Sequence, residues 1–448
     1  MSPSFGTHGG ASICYCREGD VRSRAEWVGM LASDESRFAE MYSAGCIRRV
    51  GESGADDERY ALQFVGAAFA SDTVLVCAPK FCDERPSDDD LRLTFRSIAH
   101  YRARARVRAP SISRIDDILL HGTGSRFVDL LRRLLQWTDR HGFHQEFVQS
   151  RVNRDGAIDW GYTVKSRMAV HTSDAVVYHR PVYTRRISRY GRLRVIQAET
   201  IARSVALLGP LTGYVTGAKP ELISEAKRIS ATVGGAPMTV ERASRILREF
   251  ARETNRDHEI ELIGLLRALM RDLDMSRQDR LRILGTNAFF AIWQAACGSV
   301  LALTPGHTST QSTALLAALR QHNDALASDW ILPDHLLKPD DDANVVLVLD
   351  AKWHSPVRAF SSNDLVKQFL YEIAVRPNVR VVSNTLIVPG DGPLPERCGE
   401  IRAEIDGVCH PGFNAIRVVS APWREILRDY VESTGDELAA AIVSLARR

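Results

Sequence analysis

Residues 333–353 read Pro333-Asp334-His335-Leu336-Leu337-Lys338-Pro339-Asp340-Asp341-Asp342-Ala343-Asn344-Val345-Val346-Leu347-Val348-Leu349-Asp350-Ala351-Lys352-Trp353. The part from Val345 to Trp353 is almost wholly apolar, rich in valine and leucine, and bounded by turn residues. Such a run predicts a strand buried on both faces. Side chains alternate along a strand, so Val346, Val348, Asp350 and Lys352 share one face. The polar cluster from Pro339 to Asn344 has strong turn chemistry. It returns the chain antiparallel to residues 334–337, which sets Asp334 beside Asp350. A carboxylate at the end of a central apolar strand is costly unless it is paired or bound to metal. Two side by side repel and favour a cation between them. Hard oxygen ligands suit magnesium or manganese. An ion held there lowers the pKa of water and neutralises charge on a scissile phosphate. Lys352 is placed to orient that water or stabilise the transition state. The plainer reading is a pair of strand-end acids with Lys352 as their surface partner.

The following residues extend the pattern. Ser361-Ser362-Asn363-Asp364 is a helix-start cluster. The next turns carry Leu365, Phe369 and Ile373 on one face and Asp364, Gln368 and Tyr371 on another. Pro377 ends that helix, and residues 378–389 read as another buried strand. Strand, strand, helix, strand, with an acidic pair on the first two, is the core order of one nuclease fold.

On these residues the chain resembles the PD-(D/E)XK nuclease superfamily. Pro333-Asp334 and Asp350-Ala351-Lys352 match its signature. Gln368 and Tyr371 are similar to a helix motif of some branches, one residue shorter than the common form. More narrowly, the chain resembles the McrC-like nuclease subunits of McrBC and LlaJI-type restriction systems. The further matches are Tyr60-Ala61-Leu62-Gln63-Phe64-Val65-Gly66, a strand ending Ala78-Pro79-Lys80-Phe81, Gly156-Ala157-Ile158-Asp159-Trp160 with Thr163, and Phe289-Phe290-Ala291-Ile292-Trp293-Gln294 on a helix.

The resemblance implies an α/β (multidomain α+β) fold with a C-terminal PD-(D/E)XK restriction-endonuclease-like core, a mixed sheet flanked by helices. It implies Asp334, Asp350 and the Ala351 carbonyl as Mg2+ ligands, with Mn2+ a substitute. Lys352 would assist the attacking water, and Gln368 and Tyr371 would line the site or contact the phosphate. It implies DNA cleavage in antiviral defence, with an AAA+ McrB-like NTPase partner docked by the N-terminal region. One position departs from the pattern. Related nucleases often carry a metal-binding glutamate where this chain has Gln294. A neutral amide binds metal more weakly, which weighs against a second ion. It favours a rival reading, a nuclease-like assembly factor that cuts nothing. A third reading is a RecB-like repair nuclease.

Composition bounds the rest. At 448 residues, two or three domains are expected. Hydrophobic residues make up 45% and charged residues 25% of the chain, values typical of soluble globular protein. The net charge of +3 neither demands nor excludes nucleic acid, so local patches decide. Eight cysteines lack paired zinc-ligand spacing and read as reduced thiols. No apolar stretch is long enough to span a bilayer, and the N-terminus lacks a signal-peptide layout, so a cytoplasmic protein without a membrane partner is expected. Neither a Gly-x-x-x-x-Gly-Lys-Ser/Thr loop nor a Gly-x-Ser-x-Gly elbow occurs. His335 and His354 read as bystanders of the site.

Along the chain, residues 1–155 read as an N-terminal α+β domain for partner docking. Residues 156–283 read as arginine-rich strands followed by helices, and residues 284–448 as the nuclease domain. Single helices are expected over 24–42, 91–108, 115–138 and 422–447. Arg102, Arg104, Arg106 and Arg108 alternate and would line one side of an extended stretch. Arg185, Arg186, Arg189, Tyr190 and Arg192 interleave arginine with tyrosine, a pattern that suits phosphate contact and base stacking. A solvated face is the plainer alternative for both segments.

Overall fold

The computed structural model describes residues 5–8, 11–51, 58–70, 72–108, 123–152, 157–178, 180–189, 191–209, 211–232, 238–274, 281–310, 333–342, 344–354, 360–376, 380–405, 408–409 and 412–447. The chain packs as two compact units. One holds Met1–Ser125, Gly213–Val215 and Arg280–Arg448; the other holds Arg126–Thr212 and Thr216–Asp279. The segments expected from the sequence follow chain order, whereas these units follow packing.

The first unit opens with β1 (Phe5–His8), β2 (Ala11–Arg17), β3 (Val21–Ser23), α1 (Arg24–Met30), α2 (Glu35–Ser43), β4 (Ile47–Val50), β5 (Arg59–Leu62), β6 (Val65–Phe69), β7 (Thr73–Ala78) and α3 (Asp88–Arg108). Periodicity joins residues 24–42 into one helix, and the structure divides them. The break falls at Ala32 and Ser33, which take φ of 60° and 58°. Asp34 then caps α2 by accepting from the Ser36 amide at 2.8 Å. Because residues 88–108 are helical, the alternating arginines do not line one edge as an extended segment would. Arg104 instead donates to the Ser299 hydroxyl at 2.9 Å and lies over the Tyr430 ring.

The second unit contains most of α4 (Thr123–His141), then β8 (Glu146–Val152), β9 (Ala157–Ile158), α5 (Trp160–Ser166), β10 (Ala169–His171), β11 (Val176–Tyr178), β12 (Tyr183–Arg189), α6 (Arg192–Leu208), part of α7 (Leu211–Val215), α8 (Pro220–Thr232), α9 (Val240–Glu253) and α10 (Asp257–Asp272). Strands β8, β12 and β9 form one small sheet, and β10 pairs with β11. Periodicity misses α5, which is only seven residues long and is capped by Asp159.

The chain re-enters the first unit at β13 (Arg282–Thr286). There follow α11 (Phe289–Leu301), β14 (His307–Thr310), β15 (His335–Pro339), β16 (Val345–Ala351), α12 (Ser362–Val375), β17 (Arg380–Gly390), β18 (Glu396–Ile401), β19 (Glu404–Ile405), β20 (Val408–Cys409), β21 (Ile416–Pro422), α13 (Trp423–Glu432) and α14 (Asp436–Arg447). Strand β13 completes a five-stranded sheet of order β1-β2-β7-β6-β13. The single C-terminal helix expected over 422–447 is two helices. Ser433 and Gly435 take φ of 59° and 110°, and the Thr434 hydroxyl donates to Asp429 at 2.8 Å.

The sheet that matters for function has six strands in the order β14-β15-β16-β17-β21-β18. Neighbours β14, β15 and β16 pair antiparallel, β16 with β17 and β17 with β21 parallel, and β18 antiparallel. All seven residues of β16 are buried. Leu347, Leu349 and Ala351 pack into a core with Trp293, Trp423 and Ile442 from α11, α13 and α14. Val346 and Val348 pack with Tyr371 and Val375 of α12. Both faces are therefore covered, which is why the strand is a continuous apolar run.

Helix α12 rests on the sheet through Gln368, Tyr371, Glu372 and Val375, while Ile373 is 47% exposed. The face carrying polar groups is thus the packed one. Its buried carboxylate is satisfied at long range. Glu372 pairs with Arg376, and it accepts from the Asn384 amide group at 3.1 Å and the Asn414 backbone at 3.0 Å. Among the described residues, no helix is long and apolar enough to cross a membrane.

Candidate active site

The register of β15 on β16 places His335 opposite Leu349. One step further sets Asp334 across from Asp350. On its other side β16 runs with β17, Ala351 beside Ile387, and the Lys352 amide donates the final ladder bond to the Ile387 carbonyl at 2.8 Å. The next bond would need an N–H from Pro389, which has none. The ladder therefore stops at the Lys352 amide, and Asp350 and Lys352 flank the last residue of β16, at the carboxyl end of a central strand.

Ala351 faces β15, and its amide donates to Asp334 Oδ2 at 3.0 Å. In a strand the N–H and C=O of one residue point to the same side, so the Ala351 carbonyl is directed towards Asp334 as well. The Gln294 side chain reaches from α11 and donates to both Asp334 oxygens, at 3.1 and 3.3 Å. Asp350 is 1% exposed. Lys352 Nζ lies 2.7 Å from its Oδ2 and 3.6 Å from Asp364 Oδ1. The first contact is an ion pair in distance but lacks hydrogen-bond direction, leaving Asp350 Oδ2 buried without a directed donor.

The electrostatics follow from that crowding. Burial, then the neighbouring Asp334, push the Asp350 carboxyl up to about 7, against the pull of Lys352. Burial also raises Asp334, although the Ala351 amide and Lys352 oppose it. Two carboxylates in a dry space resist being charged together unless a cation joins them. Burial alone would lower the Lys352 ammonium, but Asp350 outweighs it and keeps the ammonium above its usual value.

These donors suit magnesium. It commonly takes one or two carboxylates and fills its shell with water and phosphate oxygens. Two acids, an oxygen without a directed donor and a carbonyl on the same side meet that description. Among the described residues, no group of three or more His, Cys, Asp or Glu is arranged to hold a metal ion.

The other expected residues are distributed as follows. Tyr371 is buried near the acids, and its hydroxyl is raised by burial, then by Asp350, Asp334 and Asp364. Gln368 is buried on the same helix face and donates to the Thr385 carbonyl at 3.4 Å, while its own oxygen has no partner. Asp364 is a site residue that sequence reasoning missed. Its i, i+4, i+7 relation to Gln368 and Tyr371 carries the signal. Burial raises its carboxyl, but the Ser361 hydroxyl and Lys352 hold it below its usual value. His335 packs against Gly298, where a Cβ would come within 2.4 Å of its ring, and burial lowers it to about 4. It is neutral and belongs to the α11 side of the strand. Arg185, Arg186 and Arg189 lie on β12, in register with Ser150, Gln149 and Glu146. Tyr190 lies outside the described residues. Arg192 begins α6, pairs with Glu249 at 3.2 Å and lies over the Phe250 ring.

A helix-flanked mixed sheet that brings two acids and a lysine to one strand end is the architecture of a multidomain α+β, nuclease-like protein. The chain belongs to the LlaJI restriction endonuclease family, whose model matches residues 64–393. Two solved structures show coarse likeness. One is a refined half-complex from a tetradecameric assembly of Thermococcus gammatolerans McrB AAA+ hexamers with bound McrC. It has 13% identity and a TM-score of 0.40, covering 94% of this chain and 99% of that one. The other is a cryo-EM structure of the Thermococcus gammatolerans McrBC complex, with 12% identity and a TM-score of 0.25, covering 59% of this chain and 85% of that one. No curated protein matches the chain.

Proposed function

We propose that the chain is the magnesium-dependent DNA endonuclease subunit of an McrBC/LlaJI-like restriction system, built on a PD-(D/E)XK core. The observation that carries this reading is the meeting of Asp334, Asp350 and Lys352 where β16 ends. Membership of a restriction endonuclease family supports it. Asp334, Asp350 and the Ala351 carbonyl would hold Mg2+, with Mn2+ as substitute. When bound, the ion supplies charge neutralisation at the phosphate and lowers the pKa of the attacking water. Lys352, kept protonated by Asp350 and Asp364, donates to a phosphate oxygen or orients the water. Tyr371, neutral at physiological pH, offers a further donor, and Gln368 fastens α12 to β17. Arg185, Arg186, Arg189, Tyr190 and Arg192 contact the DNA backbone. The resemblance to McrC-like subunits supports a separate AAA+ McrB-like NTPase as partner, in the cytoplasm.

Plasmid cleavage with the full chain, magnesium and the partner NTPase tests the reading. Lys352→Ala is expected to slow cutting roughly 10²- to 10³-fold with the fold intact, the scale of losing one preorganised charge at a transition state. EDTA should stop wild-type cutting and Mn2+ restore it. Cutting by Lys352→Ala at the wild-type rate removes the catalytic assignment. Arg186→Glu with Arg189→Glu is expected to weaken DNA binding and to shallow its log–log salt dependence by roughly 2, since each lost phosphate contact removes about 0.9 from the slope. An unaltered slope takes these residues out of the DNA path. The rival reading, a non-cleaving assembly factor, is favoured by Gln294, which fills the expected acid position with a donor to Asp334.

A further inference from the structure

The motif Ala78-Pro79-Lys80-Phe81 has no part in the hydrolytic set, yet it meets the chain one residue beyond Lys352. The Lys80 ammonium donates to the Trp353 carbonyl and lies over the Phe81 and Trp353 rings. The Trp353 indole N–H donates to Glu18 at 2.7 Å. The ring is 5% exposed, packed edge-on to Phe81 at 4.9 Å and tilted against Phe289 and Trp293. Glu18 and Lys80 follow the carboxyl ends of β2 and β7, which run parallel with Arg17 beside Ala78. The Glu18 amide is itself tied to the Ala78 carbonyl at 2.9 Å.

Two separate residues that follow strands of the N-terminal sheet thus hold the carbonyl and the indole N–H of Trp353. They do so where β16 loses its own support, because Pro389 offers no N–H to the Lys352 carbonyl. Beyond that point the ladder no longer fixes the chain. We propose that Lys80 and Glu18 are positioning residues for the nuclease site: by gripping Trp353 they set where Lys352 stands against Asp350. The inference rests on the nuclease reading above for its consequence in catalysis, though not for the clamp itself. It makes the five-stranded sheet part of the active-site scaffold, so that a shift of the β2 and β7 ends moves Lys352.

The test uses the full chain carrying Lys80→Met, Lys80→Arg or Glu18→Leu. Hydrogen exchange is followed on the peptide containing Lys352 and Trp353. Lys80→Met is expected to speed exchange there roughly tenfold or more, with peptides of β6 and β7 unchanged. In magnesium-dependent plasmid cleavage, Lys80→Met should lower kcat roughly 10- to 100-fold with KM for DNA unchanged, the scale of a small misplacement of a reacting group. Lys80→Arg should recover most of that loss. If Lys80→Met does not fold, Glu18→Leu, which keeps similar bulk but removes the acceptor for the indole N–H, carries the same two measurements. Unchanged exchange at Lys352, or a loss confined to KM, overturns the inference. If wild type does not cut, or Asp350→Ala cuts equally well, the nuclease reading fails and exchange alone still decides the clamp. If wild type cuts, Asp350→Ala does not, and both clamp variants behave as wild type, only the clamp is wrong.

Discussion

Asp350→Asn is expected to end cleavage and to make the metal-free chain more stable at pH 8. The two effects have one origin. Asp350 lies almost fully buried beside Asp334, and its carboxyl is pushed up from 3.8 to about 7. A carboxyl raised on folding binds a proton that the unfolded chain releases. Its favourable contribution is complete below about pH 4 and is lost as pH rises to about 7. Above that, holding the charge costs a few kcal/mol, since each tenfold gain in proton affinity on folding corresponds to roughly 1.4 kcal/mol. Asparagine keeps the shape without the charge, and Lys352 retains Asp364 at 3.6 Å. Thermal melts in EDTA should show Asp350→Asn above wild type at pH 8 and close to it at pH 4. Magnesium should raise the wild-type melting temperature at pH 8 and leave the variant unmoved, since the ion stabilises only the state that binds it. Cleavage should fall by at least about 10⁴-fold, more than for Lys352→Ala, because both a ligand and the charge that anchors the lysine are gone. A variant less stable than wild type at both pH values would falsify the electrostatic account.

Gly66→Ala is expected to unfold the first unit under mild conditions. Gly66 sits opposite Gly285 in the antiparallel pairing of β6 with β13. Its φ of 145° suits glycine and strains any L side chain. A Cβ there would lie 2.2 Å from the Leu284 carbonyl oxygen and 2.6 Å from Gly285 Cα. Both are backbone atoms of the facing strand, so no side chain can swing aside. Relief requires β13 to separate from β6, and β13 completes the N-terminal sheet. The loss should be about 3 kcal/mol or more, from backbone strain and overpacking together. Urea denaturation of the full chain measures it. Gly213→Ala is the control, since a Cβ at that position meets nothing within 4 Å. Equal midpoints for the two variants would show that the strands part easily.

The site is legible wherever local chemistry decides the outcome. The valine–leucine run of β16 announces a strand covered on both sides, and the acidic turn before it sets Asp334 against Asp350. What stays hidden depends on partners far along the chain. The break at Ala32 and Ser33 lies inside a good helical period. The packed face of α12 includes Glu372, which periodicity would leave in solvent until Asn384, Asn414 and Arg376 are known to meet it. Glu18 and Lys80 meet Trp353 across more than 270 residues, a separation that leaves no local pattern to read. Asp364 is the intermediate case, visible in helical spacing and easily passed over as a cap.

The excursion of the chain through its second unit has a consequence for biosynthesis. On the ribosome, β6 emerges early with its outer edge open, and the strand that covers it, β13, follows only after the whole second unit. Glu18 and Lys80 likewise wait in the nascent polypeptide for an indole translated much later. A product truncated before β13 therefore carries an unfinished sheet, and the two acids and the lysine that meet where β16 ends are translated later still.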